Sequence, residues 1–237
     1  YGLNHWDKSI TALETFTTYS TSEFAVRPFL LLNQERMLQQ MMKWSTSENE
    51  HVRRLASEGC RPRLPWAQSI PSLKQNPLPI ISILEQLKAD ESLYVRKSVA
   101  NNLNDISKTH PELVLDCAEK WFGHNQYTDW IIKHACRTLL KKGEKRALCL
   151  FGYPDADSLQ IIDLLYDTNS IKIGESITFS FSVHAQNNTK LRLEYAIDYV
   201  KARGHRTKKV FKIGETSLLA GKTKSYTKSQ SFRDLTT

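Results

Sequence analysis

The chain has 237 residues, of which 33 are Lys or Arg and 25 are Asp or Glu, so its formal net charge is +8 at neutral pH. Hydrophobic residues make up 40% of the chain and charged residues 24%, which is the composition of a folded protein and excludes disorder over most of its length. At this length we expect one or two domains, each large enough to bury a core.

Membrane, secreted and metal-binding classes are also disfavoured. No run approaches the roughly 18 consecutive apolar residues of a membrane span, and no segment has the pattern of a signal peptide. The four cysteines include no C-x-x-C pair and the seven histidines form no H-E-x-x-H motif, so we expect neither a disulfide framework nor a metal. Because the chain begins with Tyr1 rather than Met and closes without a final element, we expect a fragment that lacks residues at both ends.

Residues up to Phe151 have the periodicity of helices. Apolar residues recur at three- and four-residue intervals, which places each set on one face of a helix. These sets are Met37-Leu38-Met41-Met42, Ile80-Ile81-Leu84-Leu87 and Ile131-Ile132-Ala135-Leu139. Proline and glycine residues separate them, so the sequence predicts stacked helices in this half.

From Ile171 onward the apolar period becomes two, which is typical of strands. The alternation is clearest in Ile177-Phe179-Phe181-Val183 and Leu191-Leu193-Tyr195-Ile197. Turn residues occur at Gln186-Asn187-Asn188 and Arg203-Gly204. Between residues 159 and 237 we count about six strands at a spacing of roughly ten residues, which predicts a small immunoglobulin-like domain whose last strand or two are missing.

The helical half also repeats a pair in which a β-branched residue precedes a cation. The copies are Val26-Arg27, Val52-Arg53, Val95-Arg96 and Ile132-Lys133. The last three copies lie about one HEAT-type helix pair apart, since such repeats have roughly 40 to 47 residues. We therefore predict a mainly α protein, with a HEAT-like solenoid over 1–152 and an all-β immunoglobulin-like domain over 153–237. The cations are expected on one exposed side, where they either form a positive stripe or only solvate the helices and pair with acids of the next repeat.

Residues 51–67, HVRRLASEGCRPRLPWA, surround one carboxylate with arginines. The arginines are Arg53, Arg54, Arg61 and Arg63. We expect Glu58 to be exposed at the end of a helix that stops at Gly59, where the helix dipole disfavours a carboxylate unless cations compensate. Guanidinium groups also fit phosphate oxygens, so the four arginines could bind DNA phosphates around Glu58. The alternatives are a structural ion pair for Glu58 and core packing for Trp66.

Four segments are distinctive as a set. They are SEFAVRPFL at 22–30, HVRRLASEGCRPRLPWA at 51–67, SLYVRKSVANNLNDISKTHPE at 92–112 and WIIKHACRTLL at 130–140. Together they resemble the AlkC branch of the HEAT-like DNA alkylation repair glycosylases, over most of residues 1–152. The resemblance implies hydrolysis of the N-glycosidic bond of alkylated bases, chiefly 3-methyladenine and 3-methylcytosine, without a metal or organic cofactor. It also implies a bacterial cytoplasmic protein at the nucleoid, monomeric, whose partner is alkylated double-stranded DNA and not a membrane.

The resemblance assigns roles to three residues. The catalytic acids of the family correspond to Glu23 and Glu58, and the aromatic residue that packs on the lesion sugar corresponds to Trp66. Some relatives have Asp where this chain has Glu58, which leaves the role of Glu58 less defined than its presence in the site. Glu23 could instead be only an acid in the first turn of a helix. The family holds the lesion in the duplex, so no deep base pocket is expected.

The candidate DNA-binding residues are cations from both halves. They are Arg53, Arg54, Arg61, Arg63, Arg96, Lys97, Lys133, Arg203, Arg206, Lys208 and Lys209. The β half has ten Lys or Arg residues between Lys201 and Arg233 and a single acid, Glu215. Its cations at the expected hairpin either clamp DNA or form a solvated face.

Two other functional classes remain open. One is a HEAT-repeat scaffold for an acidic protein, which needs neither Glu23 nor Glu58. The other is a catalytically inactive relative that binds DNA. Release of a methylated base from alkylated DNA distinguishes an enzyme from both.

Overall fold

The computed structural model describes residues 2–153 and 159–233. The chain divides into two compact units, Tyr1–Ala147 and Leu148–Thr237, so the domain boundary predicted after residue 152 falls inside the second unit. Among the described residues, eleven helices come first and five strands follow, in agreement with the predicted fold class.

The helices are α1 (Trp6–Thr17), α2 (Arg27–Leu32), α3 (Gln34–Trp44), α4 (Glu50–Gly59), α5 (Pro71–Gln75), α6 (Leu78–Leu87), α7 (Leu93–Ile106), α8 (Pro111–Trp121), α9 (Gln126–Ala135), α10 (Arg137–Lys141) and α11 (Lys145–Leu150).

The helical unit is a stack of helix pairs. Helix α3 packs on α4, α6 on α7 and α8 on α9, while α4, α7 and α9 also pack in succession to form one layer. Val52, Val95 and Ile132, which start three of the repeated pairs, lie one on each helix of this layer and are buried. The repeat read from the sequence is therefore the structural repeat of the unit. Among the described residues, none of the helices has the length and apolar composition that a membrane span requires.

The cations of the repeat do not all lie on an exposed side. Arg27 is 1% exposed, so the expectation was wrong for that copy; its guanidinium is enclosed by main-chain carbonyls. Arg53 and Arg96 are partly buried and make equivalent bonds. Nη1 of Arg53 donates to the carbonyls five and six residues earlier at 2.8 and 2.9 Å, and Nη1 of Arg96 does the same at 2.6 and 2.9 Å. Each arginine thus braces the loop before its own helix.

The described residues of the second unit form two sheets. Its strands are β1 (Leu159–Tyr166), β2 (Ser176–Ala185), β3 (Thr189–Val200), β4 (Arg206–Leu218) and β5 (Thr223–Ser231). All pairings are antiparallel, with β1-β2-β5 in one sheet and β3-β4 in the other. Phe179, Phe181 and Val183 of β2 pack with Leu191 and Leu218 to form the core, so the alternation in β2 is confirmed.

The structure describes five strands where the sequence predicted about six. Strand β4 is 13 residues long, so a count that assumes one strand per ten residues divides it into two strands. Its pairing with β3 shifts register between Leu193 and Glu194, so β4 continues through an irregularity instead of ending there. The turn at Arg203-Gly204 is confirmed, since Gly204 has a φ of 80° and its N–H bonds the carbonyl of Lys201 at 2.7 Å.

Candidate active site

Glu58 is buried, so the expectation that it is exposed at a helix end was wrong. Helix α4 starts after Asn49, whose side chain accepts a hydrogen bond from the N–H of His51, and Glu58 lies in its last turn. Nη1 of Arg61 lies 2.6 Å from Glu58 Oε1, and the Ser98 hydroxyl donates a 2.6 Å bond to Oε2. These donors from two sides leave Glu58 only 6% exposed and offset the unfavourable dipole at the helix end.

Arg54 links Glu58 to the second candidate acid. Its Nη1 lies 3.3 Å from Glu23 Oε2 and its Nη2 lies 3.7 Å from Glu58 Oε1. Glu23 is 8% exposed and lies in the turn before α2, outside the helix, so it is not an acid of a first helical turn. The guanidinium of Arg54 also lies 4.6 Å from the centre of the Tyr94 ring, and burial raises the pKa of Tyr94. One cation therefore holds two carboxylates from separate segments close together.

Arg61 connects this pair to α7. Its Nε and Nη2 lie 2.9 and 2.8 Å from Asp105 Oδ2, and Lys108 pairs with the other oxygen of Asp105 at 2.9 Å. Burial alone would lower the pKa of Arg61, but Glu58 and Asp105 outweigh burial and raise it. The result is an ion-pair chain that alternates in charge from Glu23 to Lys108.

Sequence reasoning missed three buried residues of α7, Ser98, Asn102 and Asp105. They are 2%, 0% and 3% exposed. Asn102 donates a 2.8 Å bond to the carbonyl of Ser57, so it joins α7 to the last turn of α4. The available signal was the spacing of four and then three residues, which places these polar side chains on one helix face.

Trp66 does not pack in the core. Its residue is 99% exposed and its φ is 60°, a left-handed conformation that is costly for a residue with a Cβ. Such strain outside glycine tends to occur at functional positions. An exposed indole held in this way is available to a ligand.

The loop of Trp66 is fastened to α2 at both sides. Arg27 Nη1 donates 3.0 Å bonds to the carbonyls of Gly59 and Arg61, and Nε donates a 2.6 Å bond to that of Gln68. Gly59 permits this approach, because a Cβ there would lie 2.5 Å from Cγ2 of Val26. The loop therefore begins and ends at fixed points while Trp66 points outward.

The other predicted DNA-binding residues fall into separate groups. Arg53 pairs with Asp90 at 2.6 Å, and Arg96 lies 4.3 Å from the centre of the Tyr127 ring. Among the predicted residues of the helical unit, the exposed cations are Arg63, Lys97 and Lys133. The exposed cations of the hairpin, in the other unit, are Arg203, Arg206, Lys208 and Lys209. Contact of any of them with DNA stays a prediction.

Comparison with known proteins identifies the family. Residues 6–139 match the family model described as DNA alkylation repair enzyme, and residues 160–237 match that of the C-terminal Ig-like domain of uncharacterised protein YhaZ. The whole chain is 65% identical to the uncharacterized protein YhaZ of Bacillus subtilis (strain 168) and spans 66% of its length. It also matches the solved structure of Pseudomonas fluorescens alkylpurine DNA glycosylase AlkC bound to DNA containing an abasic site analog. The TM-score is 0.96 and the identity 48%, and the match covers 100% of this chain and 67% of that chain.

These matches cover both units of the fold. The chain belongs to the DNA alkylation repair (AlkC/AlkD) family, as its four distinctive segments predicted.

Proposed function

We propose that this chain carries the catalytic site of a DNA N-glycosylase for cationic alkylated bases. Its substrates are 3-methyladenine and 3-methylcytosine in duplex DNA, and its place of action is the bacterial nucleoid. The observation that supports this most is the pair Glu23 and Glu58, joined by one guanidinium beside a loop that exposes Trp66. Membership of the family and the match to AlkC support the same reaction class.

The chemistry requires stabilisation of the sugar more than protonation of the base. When the C1′–N bond breaks, its electron pair neutralises the charge of the alkylated base, which leaves without a general acid. The deoxyribose becomes an oxocarbenium ion, and fixed carboxylates stabilise that positive charge. Water then adds its oxygen to C1′ and loses a proton, which gives an abasic site.

The two carboxylates are suited to different parts of this reaction. Glu58 is held through both oxygens at 2.6 Å and serves as the fixed negative charge beside C1′. Glu23 has a longer 3.3 Å contact with Arg54 and orients the water and accepts its proton. Trp66 stacks on the deoxyribose and adds cation–π attraction, on the order of 1 to 2 kcal/mol in a water-excluded contact.

A base-release assay tests the proposal. We expect Glu23→Gln and Glu58→Gln each to slow release of 3-methyladenine from alkylated duplex DNA at least about tenfold, since ~1.4 kcal/mol of lost transition-state stabilisation is one factor of ten. DNA affinity should change little. Glu35→Gln is the matched control, because Glu35 is an exposed acid in the first turn of α3.

The assay also distinguishes the other functional classes. Wild-type rates in both glutamine variants would overturn the roles of Glu23 and Glu58. DNA binding without base release would favour an inactive relative, and neither activity would favour a protein scaffold. Because the chain spans 66% of its curated relative, the full-length protein should be assayed beside it.

A further inference from the structure

A buried polar face of α7 meets the end of α4. Ser98, Asn102 and Asp105 lie on this face and are almost completely buried. Buried polar groups are costly unless they are hydrogen-bonded, and in this packed layer apolar residues would fill the same space. Two of the three, Ser98 and Asp105, act on Glu58 directly or through Arg61.

The direction of the hydrogen bonds follows from the number of protons. Ser98 Oγ lies 2.6 Å from Glu58 Oε2 and 3.0 Å from Ser57 Oγ. A hydroxyl has one proton to donate, and an ionised carboxylate only accepts. The Ser98 proton therefore goes to Glu58 at 2.6 Å rather than to Ser57 at 3.0 Å. The shorter distance is that of a charge-assisted O–H···O⁻ bond.

We propose that Ser98 is a positioning residue for Glu58. This inference rests on the proposed function. The Ser98 hydroxyl fixes Oε2, while Arg61, itself held by Asp105, fixes Oε1. Both fixed points depend on α7, which belongs to the repeat after the one that carries Glu58. The neighbouring repeat thereby sets the orientation of the carboxylate plane.

The position of this charge matters because preorganised electrostatic groups lose effect when they can rotate away from the reacting centre. Ser98 is 2% exposed, so it cannot stack on or bond to DNA itself. Its removal should therefore slow the chemical step without weakening DNA binding. We expect Ser98→Ala to reduce the single-turnover rate of base release about tenfold, with the Kd for DNA unchanged within about twofold.

A double-mutant comparison separates positioning from general structural damage. If Ser98 acts only through Glu58, Ser98→Ala should slow the wild-type enzyme about tenfold but the Glu58→Gln enzyme less than about twofold. Ser107→Ala is the matched control, because Ser107 is a 1% exposed serine at the end of the same helix whose hydroxyl donates to the carbonyl of Asn104. It should release base at nearly the wild-type rate.

Several outcomes would overturn the positioning role. They are an unchanged rate in Ser98→Ala, equal slowing in both backgrounds, and equal slowing by Ser107→Ala. If Ser98→Ala does not fold, Ser98→Cys keeps the size and a weak donor, and the same comparison of backgrounds applies. Glu58→Gln with the wild-type rate would instead refute the proposed role of Glu58, so the two failures are distinguishable.

Discussion

Arg27 and Arg61 meet through the main chain, since Nη1 of Arg27 donates a 3.0 Å hydrogen bond to the carbonyl oxygen of Arg61. The same nitrogen bonds Gly59, and Nε bonds Gln68 across the loop. Burial lowers the pKa of Arg27, and its guanidinium donates to three main-chain carbonyl oxygens. The loop that exposes Trp66 therefore depends on a residue of α2.

Arg27→Met should destabilise the helical unit. It leaves the buried carbonyls of Gly59 and Arg61 and the partly buried carbonyl of Gln68 without this donor, and each buried group left unsatisfied costs about 1 to 3 kcal/mol. We expect the free energy of unfolding to fall by about 3 kcal/mol or more, as measured by urea denaturation. Arg36→Met is the control, since Arg36 is exposed and should cost less than about 1 kcal/mol. A loss no larger than that of the control would contradict the bracing role.

Trp66→Gly should separate stability from activity. Glycine removes a left-handed strain of roughly 1 to 2 kcal/mol and adds a chain-entropy cost of roughly 0.5 to 1 kcal/mol, and an exposed indole contributes little packing. We expect the free energy of unfolding to stay within about 1 kcal/mol of wild type while base release slows about tenfold. Trp66→Phe keeps an aromatic face and should be intermediate. Marked destabilisation with unchanged release would indicate a packing residue.

The cysteines predict an alkaline limit of stability. Burial raises the pKa of Cys60 and Cys136 to about 12 and that of Cys117 to about 11. Unfolded thiols lose their protons near pH 9, whereas these folded thiols keep them, so the free energy of unfolding should fall as pH rises above 9 and be unaffected by them below it. Urea denaturation at pH 8, 9 and 10 measures this.

Thiol reagents provide the second measurement. At pH 8 the exposed Cys149 should react rapidly, while the three buried cysteines should react only as the protein unfolds. Cys60→Ala should weaken the fall in stability above pH 9. Rapid labelling of all four cysteines in the native state would contradict the burial of these thiols.

The hairpin cations predict a salt-dependent contact with DNA. Neutralising Arg203, Arg206, Lys208 and Lys209 should lower DNA affinity on every sequence and reduce the slope of log affinity against log salt by up to about four units, since each phosphate contact releases roughly 0.9 counterion. The control neutralises four exposed lysines of the helical unit and keeps the net charge change equal. They are Lys43, Lys120, Lys141 and Lys142. An unchanged slope in the folded hairpin variant would show that these side chains do not touch phosphate.

Much of the architecture was predictable because periodicity is local. The sets at 37–42 and 80–87 each lie on one helix, the repeat of Val52, Val95 and Ile132 is confirmed, and so is the alternation of β2. The set at 131–139 was predicted on one helix but spans α9 and α10. The burial of Glu58 was not predictable in the same way, because it depends on Ser98 and on Asp105, which lie about 40 residues further along the chain. The conformation of Trp66 also escaped prediction, since indole side chains usually bury and the anchors of its loop lie on α2.

The bracing of successive repeats by Arg53 and Arg96 has a consequence for how positive charge is counted along such a protein. Each guanidinium donates hydrogen bonds to the carbonyls of the loop before its own helix, and Arg53 also pairs with Asp90. These two arginines therefore stabilise the loops of the helical unit, whatever the unit binds. Each added repeat with such an arginine would raise the formal positive charge of the protein. It would add fewer cations that are free to bind the phosphates of a polyanion.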